Sequence, residues 1–448
     1  MSKLVHAQWS SKMTFVLAAA GSAVGLGNIW RFSYMVGDNG GAAFVLVYLT
    51  CVAVVGLPVL VAEWLIGRRG QKNPINAMAE LAGKNAQPKA WALVGASGVL
   101  AAFLILSFYS VIGGWSLSYT LGSVTGTFTG QDADGVGAIF EGLLGSPGLL
   151  LLWHTAFMAL VVWIVARGVT KGLEGAVRTM MPALVVLMVV LVGYGMTTGH
   201  FGEALAFMFR PDWGALSGDV VLAAMGQAFF TLSLGMGIMM AYGSYLGEDV
   251  NLLGTARTVI ILDTGIALLA GLAIFPIVFA NGLSAGEGPG LIFVTLPLAF
   301  GNMTGGMLLG LMFFLLLTFA ALTSAISLLE PVVEFVEERT PLTRVMATLV
   351  SAVAVWLLGI AALMSFNVWP EPVMFGLNVF DLLDTFTSKI LLPLTGLGAI
   401  VFVAWCLDRR SVAAELNLTG GSEQVWLVVA RYVAPLGVIL VFVNSLLG

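Results

Sequence analysis

Apolar runs of about 20 residues, each long enough to cross a bilayer, recur eleven times in this chain, and that recurrence leaves it few folds. The runs fall at 13–36, 42–67, 92–124, 148–166, 178–199, 218–245, 255–282, 305–336, 342–364, 378–407 and 425–447. Hydrocarbon offers a peptide group no hydrogen bonds, so each run is predicted to be a helix that satisfies its own backbone. Composition agrees: 59% of the 448 residues are hydrophobic and only 10% are charged, where soluble domains carry about a quarter. The expectation is an all-α, multi-pass protein of a cell membrane with the lipid bilayer as its surroundings. The first run has a basic flank and the small-residue patch LAAAGSA, as signal peptides do, but ten more runs follow and Arg31 interrupts it.

Fifteen of the nineteen Lys and Arg residues lie in loops on the side of the N-terminus. The positive-inside rule therefore predicts a cytoplasmic N-terminus and, after eleven spans, an extracytoplasmic C-terminus. The net charge of −5 gives no reason to expect nucleic acid. Cys51 and Cys406 sit inside apolar runs and imply no disulfide framework. His6, His154 and His200 are far apart and lack metal-ligand spacing. No G-x-x-x-x-G-K-[ST] stretch is present, and no nucleophile–base pair, so neither an ATP-driven pump nor an enzyme is expected.

Two of the runs are interrupted at their centres. GSAVGLGNIWRF, residues 21–32, places Gly21, Gly25 and Gly27 beside Asn28 and Arg31. FFTLSLGMGIMMAYGSY, residues 229–245, places Ser233, Gly235 and Gly237 in an otherwise apolar helix. Glycines weaken a helix, and an arginine in hydrocarbon is costly. One reading is close helix packing at small residues. The other is a matched pair of discontinuous helices, which in secondary transporters form the binding site from bare carbonyls and half-helix N-termini. The matched positions, with five runs in each half and one left over, favour the second.

These stretches, together with NGGAAFVLVY, GLPVLVAEWLIGRRG and ALTSAISLLEP, resemble the neurotransmitter:sodium symporter family and its bacterial amino-acid branch. The resemblance implies a LeuT-type fold: an inverted 5+5 repeat over 1–199 and 218–407 with helices 1 and 6 broken, plus an eleventh helix at 425–447. It implies sodium-coupled amino-acid symport by alternating access. A transport-inactive amino-acid sensor and an ion-conducting protein on the same fold are the alternatives.

By that resemblance, sodium site 1 takes Ala23, Asn28, Thr231 and Asp263, completed by the substrate carboxylate. Sodium site 2 takes the carbonyls of Gly21, Val24 and Ala320 and the hydroxyls of Thr323 and Ser324; the alternative is that these hydroxyls bond their own helix. The substrate carboxylate would meet Tyr109 and the amides of Leu26 and Gly27. Its amino group would meet carbonyls of Ala23, Phe230, Thr231 and Ser233. Ser22, Ile105, Phe230, Met236, Ser324 and Leu328 would line the side-chain pocket. Gly25 stands where monoamine carriers have Asp, so a zwitterion is expected, and the adaptable thioether of Met236 favours hydrophobic or aromatic side chains. Many relatives hold chloride at residues matching Tyr48, Gln227, Thr231 and a serine; Asp263 and Ala267 in this chain imply no chloride requirement. The outer gate would be Arg31 with Asp384, over a lid of Tyr109 and Phe230. The inner gate would use Trp9, Ser244, Tyr245 and Glu338, with His6 where relatives have Arg. Gly172 and Pro182 match a spacing that lets the inner end of helix 5 unwind.

Overall fold

The computed structural model describes residues 8–286, 288 and 290–447. Nine continuous helices are long and apolar enough to cross a bilayer among the described residues. These are α2 (Ala42–Gly70), α3 (Lys89–Thr125), α4 (Pro147–Val165), α5 (Val169–Thr197), α7 (Leu252–Ala280), α8 (Gly306–Arg339), α9 (Arg344–Met364), α10 (Val379–Cys406) and α11 (Gly421–Asn444). Two further spans are interrupted: α1a (Lys12–Ala23) with α1b (Gly27–Asp38), bent by 53°, and α6a (Gly218–Thr231) with α6b (Ile238–Ser244). The predicted eleven are therefore present, two of them as pairs of half-helices.

Each break has a local cause. α1a stops because Val24 turns extended, with φ −74° and ψ 95°. The next amide, that of Gly25, donates to the Asn28 side chain at 3.2 Å instead of continuing the ladder. The Gly21 carbonyl thereby loses its helical donor and is free for another partner. α6a stops before three left-handed residues: Ser233 at φ 53°, Gly235 at 76° and Gly237 at 69°. A side chain at Gly235 would also meet the Leu392 carbonyl at 2.3 Å. Only glycine accepts both the backbone angle and that approach.

The half-helices lie inside the bundle. α1a packs against α5, α7 and α8, and both halves of α6 pack against α2. α3 and α8 run side by side as the long wall opposite them. α9 and α11 turn exposed residues such as Val350, Val353, Leu436 and Leu440 outward, as lipid-facing helices do.

One span departs from its predicted bounds by more than four residues. Run 178–199 is in fact α5 from Val169, nine residues earlier. Lys171 and Glu174 lower the hydropathy of this stretch, so the sequence reads as loop. The structure winds it from a π turn, Val169–Leu173, and buries Glu174 against the N-terminal segment. The helix continues through Pro182 without a break. Gly172 is required there because a side chain would strike the Ile164 carbonyl at 2.1 Å.

Candidate functional site

The two breaks meet at one small cavity. Its lining is Ser22, Ala23, Gly25 and Gly27 from the first break, Phe230, Ser233, Met236 and Ile238 from the second, Ile105 and Tyr109 from α3, and Ser324 and Leu328 from α8. Ten of these are among the residues expected at the substrate from sequence; Gly25, expected beside them, and Ile238 complete the lining. Leu26 and Thr231 do not line the space. The Leu26 amide donates to the Tyr109 hydroxyl oxygen at 3.3 Å, and Thr231 turns toward Asp263.

Hydroxyls tie the breaks together. Ser233 and Ser324 both donate to the Ser22 carbonyl, each at 3.0 Å. One end of the cavity thus holds a backbone acceptor and two hydroxyls. The other holds the amides that open α1b, where a helix N-terminus favours negative charge. Ile105, Met236, Ile238 and Leu328 supply an apolar side. The arrangement suits a small molecule with both charges and an apolar body. Gly25 leaves no room for a side chain: a Cβ would sit 2.3 Å from the Ser324 hydroxyl and 3.0 Å from that of Tyr109.

Asp263, fully buried on α7, meets Asn28 and Thr231, two of the three other residues expected at sodium site 1. Asn28 donates to its carboxylate at 2.7 Å and to its carbonyl at 3.2 Å. Thr231 donates to both carboxylate oxygens at 3.2 and 3.3 Å. Nearby, the Gln227 amide donates to the Gly27 carbonyl at 2.8 Å. A buried carboxylate must be paired, hydrogen-bonded or neutralised, and here Asn28 and Thr231 supply hydrogen bonds to it.

At the place expected for sodium site 2, the Thr323 hydroxyl lies 3.0 Å from the Ala320 carbonyl, 3.1 Å from that of Phe319 and 3.5 Å from that of Val24. It therefore bonds its own helix and also faces the break in α1. Ser324 points instead at the Ser22 carbonyl and joins the substrate cavity. Among the described residues, no His, Cys, Asp and Glu cluster has the makings of a transition-metal site.

Sequence reasoning missed Glu63. It is fully buried on α2 and accepts the Gly235 amide at 2.8 Å, holding open the second break. A lone carboxylate inside an apolar run was the available signal.

The two ends of the pathway differ. Outward, Arg31, Tyr34, Tyr109, Phe230 and Asp384 share a cavity of about 120 Å³ above the site. Arg31 and Asp384 also line a neighbouring cavity of about 350 Å³ against α6a, α10 and α11. The Arg31 guanidinium lies over the Phe230 ring, 4.5 Å from its centroid, rather than in an ion pair with Asp384. Inward, Trp9 donates through its indole to the Tyr242 carbonyl at 3.0 Å and through its amide to that of Tyr245 at 3.2 Å. Tyr245 donates to Glu330 at 2.7 Å, and Ser244 to Glu334 at 3.1 Å. Glu330 is also paired with Arg344, which sequence reasoning did not single out.

Glu338 does not join Ser244 and Tyr245. It accepts from the Asn73 amide at 2.7 Å, the Asn73 side chain at 2.5 Å and the Asn76 side chain at 2.9 Å, all at the start of a loop helix. Glu334 and Glu330, one and two turns earlier on α8, face the gate in its stead. His6 lies outside the described residues.

Comparison with known proteins agrees with this geometry. The chain matches the family model for the sodium:neurotransmitter symporter family over residues 6–134 and 140–448. It is 39% identical to an uncharacterised sodium-dependent transporter of Bacillus subtilis, YhdH, over 99% of this chain and 98% of that one. It is 34% identical to an uncharacterised sodium-dependent transporter of Haemophilus influenzae over 98% of each. The solved structure of MhsT in complex with L-phenylalanine superposes with a TM-score of 0.90 at 46% identity, covering 98% of this chain and 99% of that one. The chain belongs to the sodium:neurotransmitter symporter family. It is a multi-pass, sodium-dependent membrane transporter of LeuT-type fold, and not an enzyme.

Proposed function

We propose that this chain couples the inward movement of sodium to uptake of a zwitterionic amino acid with an apolar or aromatic side chain, without chloride. The observation that carries the reading is the cavity between the two breaks. It offers α1b amides and the Tyr109 hydroxyl to a carboxylate, carbonyls at the end of α6a to an ammonium, and Ile105, Met236, Ile238 and Leu328 to an apolar side chain. The cavity is small in this structure, about 20 Å³, so Phe230 and the flexible Met236 must give way as substrate enters. That the MhsT structure holds L-phenylalanine supports the same substrate class.

Coupling follows from shared charge. Sodium at site 1, held by the Ala23 carbonyl, Asn28, Thr231 and Asp263, would be completed by the substrate carboxylate, so each strengthens the other's binding. Sodium at site 2, held by Gly21, Val24, Ala320 and Thr323, with Ser324 turning to it from the Ser22 carbonyl, would join the break in α1 to α8 and hold the inner end shut. The first two helices of each repeat, 1–199 and 218–407, would rock together as α1, α2, α6 and α7 against the rest, with the N-terminus cytoplasmic and the C-terminus outside. Asp263 carries covalently the negative charge that a chloride ion would bring, and Ala267 removes a hydroxyl that would help hold one.

Uptake of radiolabelled phenylalanine, leucine and tryptophan into proteoliposomes tests this. Accumulation should require an inward sodium gradient and be equal in chloride and gluconate. Binding without accumulation would make the chain a sensor, and loss of uptake in gluconate would overturn the role given to Asp263.

A further inference from the structure

The inner end has a contact on α5 that the family resemblance does not name. Ser10, just before α1a, donates its backbone N–H to Glu174 Oε1 at 2.7 Å and its hydroxyl to Oε2 at 2.7 Å. Arg178, one turn along α5, donates to the Ser10 hydroxyl oxygen at 2.7 Å and to Thr14 at 3.3 Å, and lies 3.4 Å from Glu174 Oε2. Glu174 is only 2% exposed. Both its carboxylate oxygens are committed to the N-terminal segment, at the end of α1a where unpaired amides favour a negative charge.

Among the described residues, the hydrogen bonds of Trp9 run to α6b and the residue that caps it. The Trp9 amide and indole bond the carbonyls of Tyr245 and Tyr242. α6b is itself half of a broken helix, so a movement shared by α1 and α6 leaves those bonds intact. The bonds to Glu174 do not travel with it, because they cross to α5. Glu338 is engaged by Asn73 and Asn76 and is not available for the task.

We propose that Glu174 is a gating residue: it latches α1a to α5, and its release from Ser10 is the step that lets the inner end open. Its place in the chain ties this step to a hinge. Glu174 directly follows the π turn Val169–Leu173, which contains Gly172. Loosening that turn withdraws the carboxylate from Ser10, so unwinding of α5 and freeing of α1a become one event. The inference rests on the alternating-access reading.

Val177→Cys, in a chain with Cys51 and Cys406 replaced by Ala, reports on the latch. Val177 is 1% exposed on α5 and faces Gly21, where an added Cβ would lie 3.5 Å from it. The measurement is its rate of reaction with a membrane-impermeant thiosulfonate in purified protein, with and without sodium. Sodium should slow the parent reporter. Glu174→Gln should raise the rate in sodium about tenfold, since a charge-assisted pair becomes neutral. Ser10→Ala should raise it less, because the backbone N–H remains, and combining the two should be no faster than Glu174→Gln alone. An unchanged rate in Glu174→Gln, or additive effects in the pair, overturns the latch. A parent reporter indifferent to sodium overturns the alternating-access reading and the latch with it. If sodium-dependent thermal stabilisation shows that Glu174→Gln does not fold, Ser10→Ala and Arg178→Gln decide: acceleration by either supports the latch, and no change in both overturns it.

Discussion

The outer and inner ends of the pathway are built from different chemistry. Outward, Arg31 and Asp384 face shared cavities of about 120 and 350 Å³ without meeting, and the Arg31 guanidinium rests on the Phe230 ring. Inward, Glu330 pairs with Arg344, Tyr245 bonds Glu330, Ser244 bonds Glu334, and Glu174 holds Ser10. One end is a single pair with space between its members. The other is several layers of buried hydrogen bonds. A buried, satisfied network costs much to break because each loss strands a polar group, whereas a pair bordering water gives little when it forms. The end that is harder to break is closed in this structure.

The largest expected effect is at the inner end. Arg344→Ala leaves Glu330, which is fully buried, without its counter-charge. Removing one member of a buried pair costs about 3–5 kcal/mol, to be read as loss of stability in detergent. Adding Glu330→Gln should restore most of it, and failure to do so would show that Arg344 matters for packing instead.

Between the two ends, replacing Thr323 and Ser324 together by Ala removes both hydroxyls proposed for sodium site 2. At about 1–2 kcal/mol each, sodium-driven uptake should fall about a hundredfold with expression intact. Unchanged sodium dependence would remove both residues from the site. Gly25→Asp should weaken amino-acid binding by at least about tenfold, roughly 1.4 kcal/mol. The new side chain collides with Ser324 and Tyr109 and sets a carboxylate against that of the substrate. Retained affinity for leucine or tryptophan would place the substrate elsewhere.

The outer end should respond more gently. Arg31→Ala should slow transport several-fold, within about 1 kcal/mol, and change binding less, because it acts on the closed state rather than the open one. If Arg31→Ala and Asp384→Ala combine additively, the two never pair during the cycle.

The smallest effect concerns Glu80, on the loop helix Pro74–Lys84 whose start holds Glu338. Hydrogen bonds from Lys72, at 2.5 Å, and Lys84, at 2.7 Å, hold its carboxyl below the usual range. A depressed folded pKa contributes stability above the unfolded value, and that stability is lost as pH falls through the folded one. Glu80→Gln should therefore cost under about 1 kcal/mol at neutral pH and nothing in strong acid, which thermal melts at two pH values would show.

The positions of the eleven spans and of both breaks were legible from hydropathy and from paired glycines, because bilayer thickness and helix propensity act locally. Asn28, Thr231 and Asp263 were legible only through resemblance, since nothing local says that α1, α6 and α7 meet there. Two errors share a cause. Lys171 and Glu174 read as a loop, and Glu338 read as a gate, because a charged side chain's role depends on its partner, and Ser10 and Asn73 are more than a hundred residues away from Glu174 and Glu338. Glu63, Glu330 and Arg344 went unread for the same reason.

What the sequence determined by itself was therefore the membrane-spanning, all-helical character of the protein and the two places where a helix gives way. Hydrocarbon enforces those on each segment separately. Only the tertiary structure decided that Glu338 turns to Asn73 while Glu330 and Glu334 face the gate, and that Arg31 rests on Phe230 rather than on Asp384. Those choices depend on which carboxylates, amides and rings the packing of α2, α5, α6, α8 and α9 brings within hydrogen-bond reach, and a few ångströms decide them.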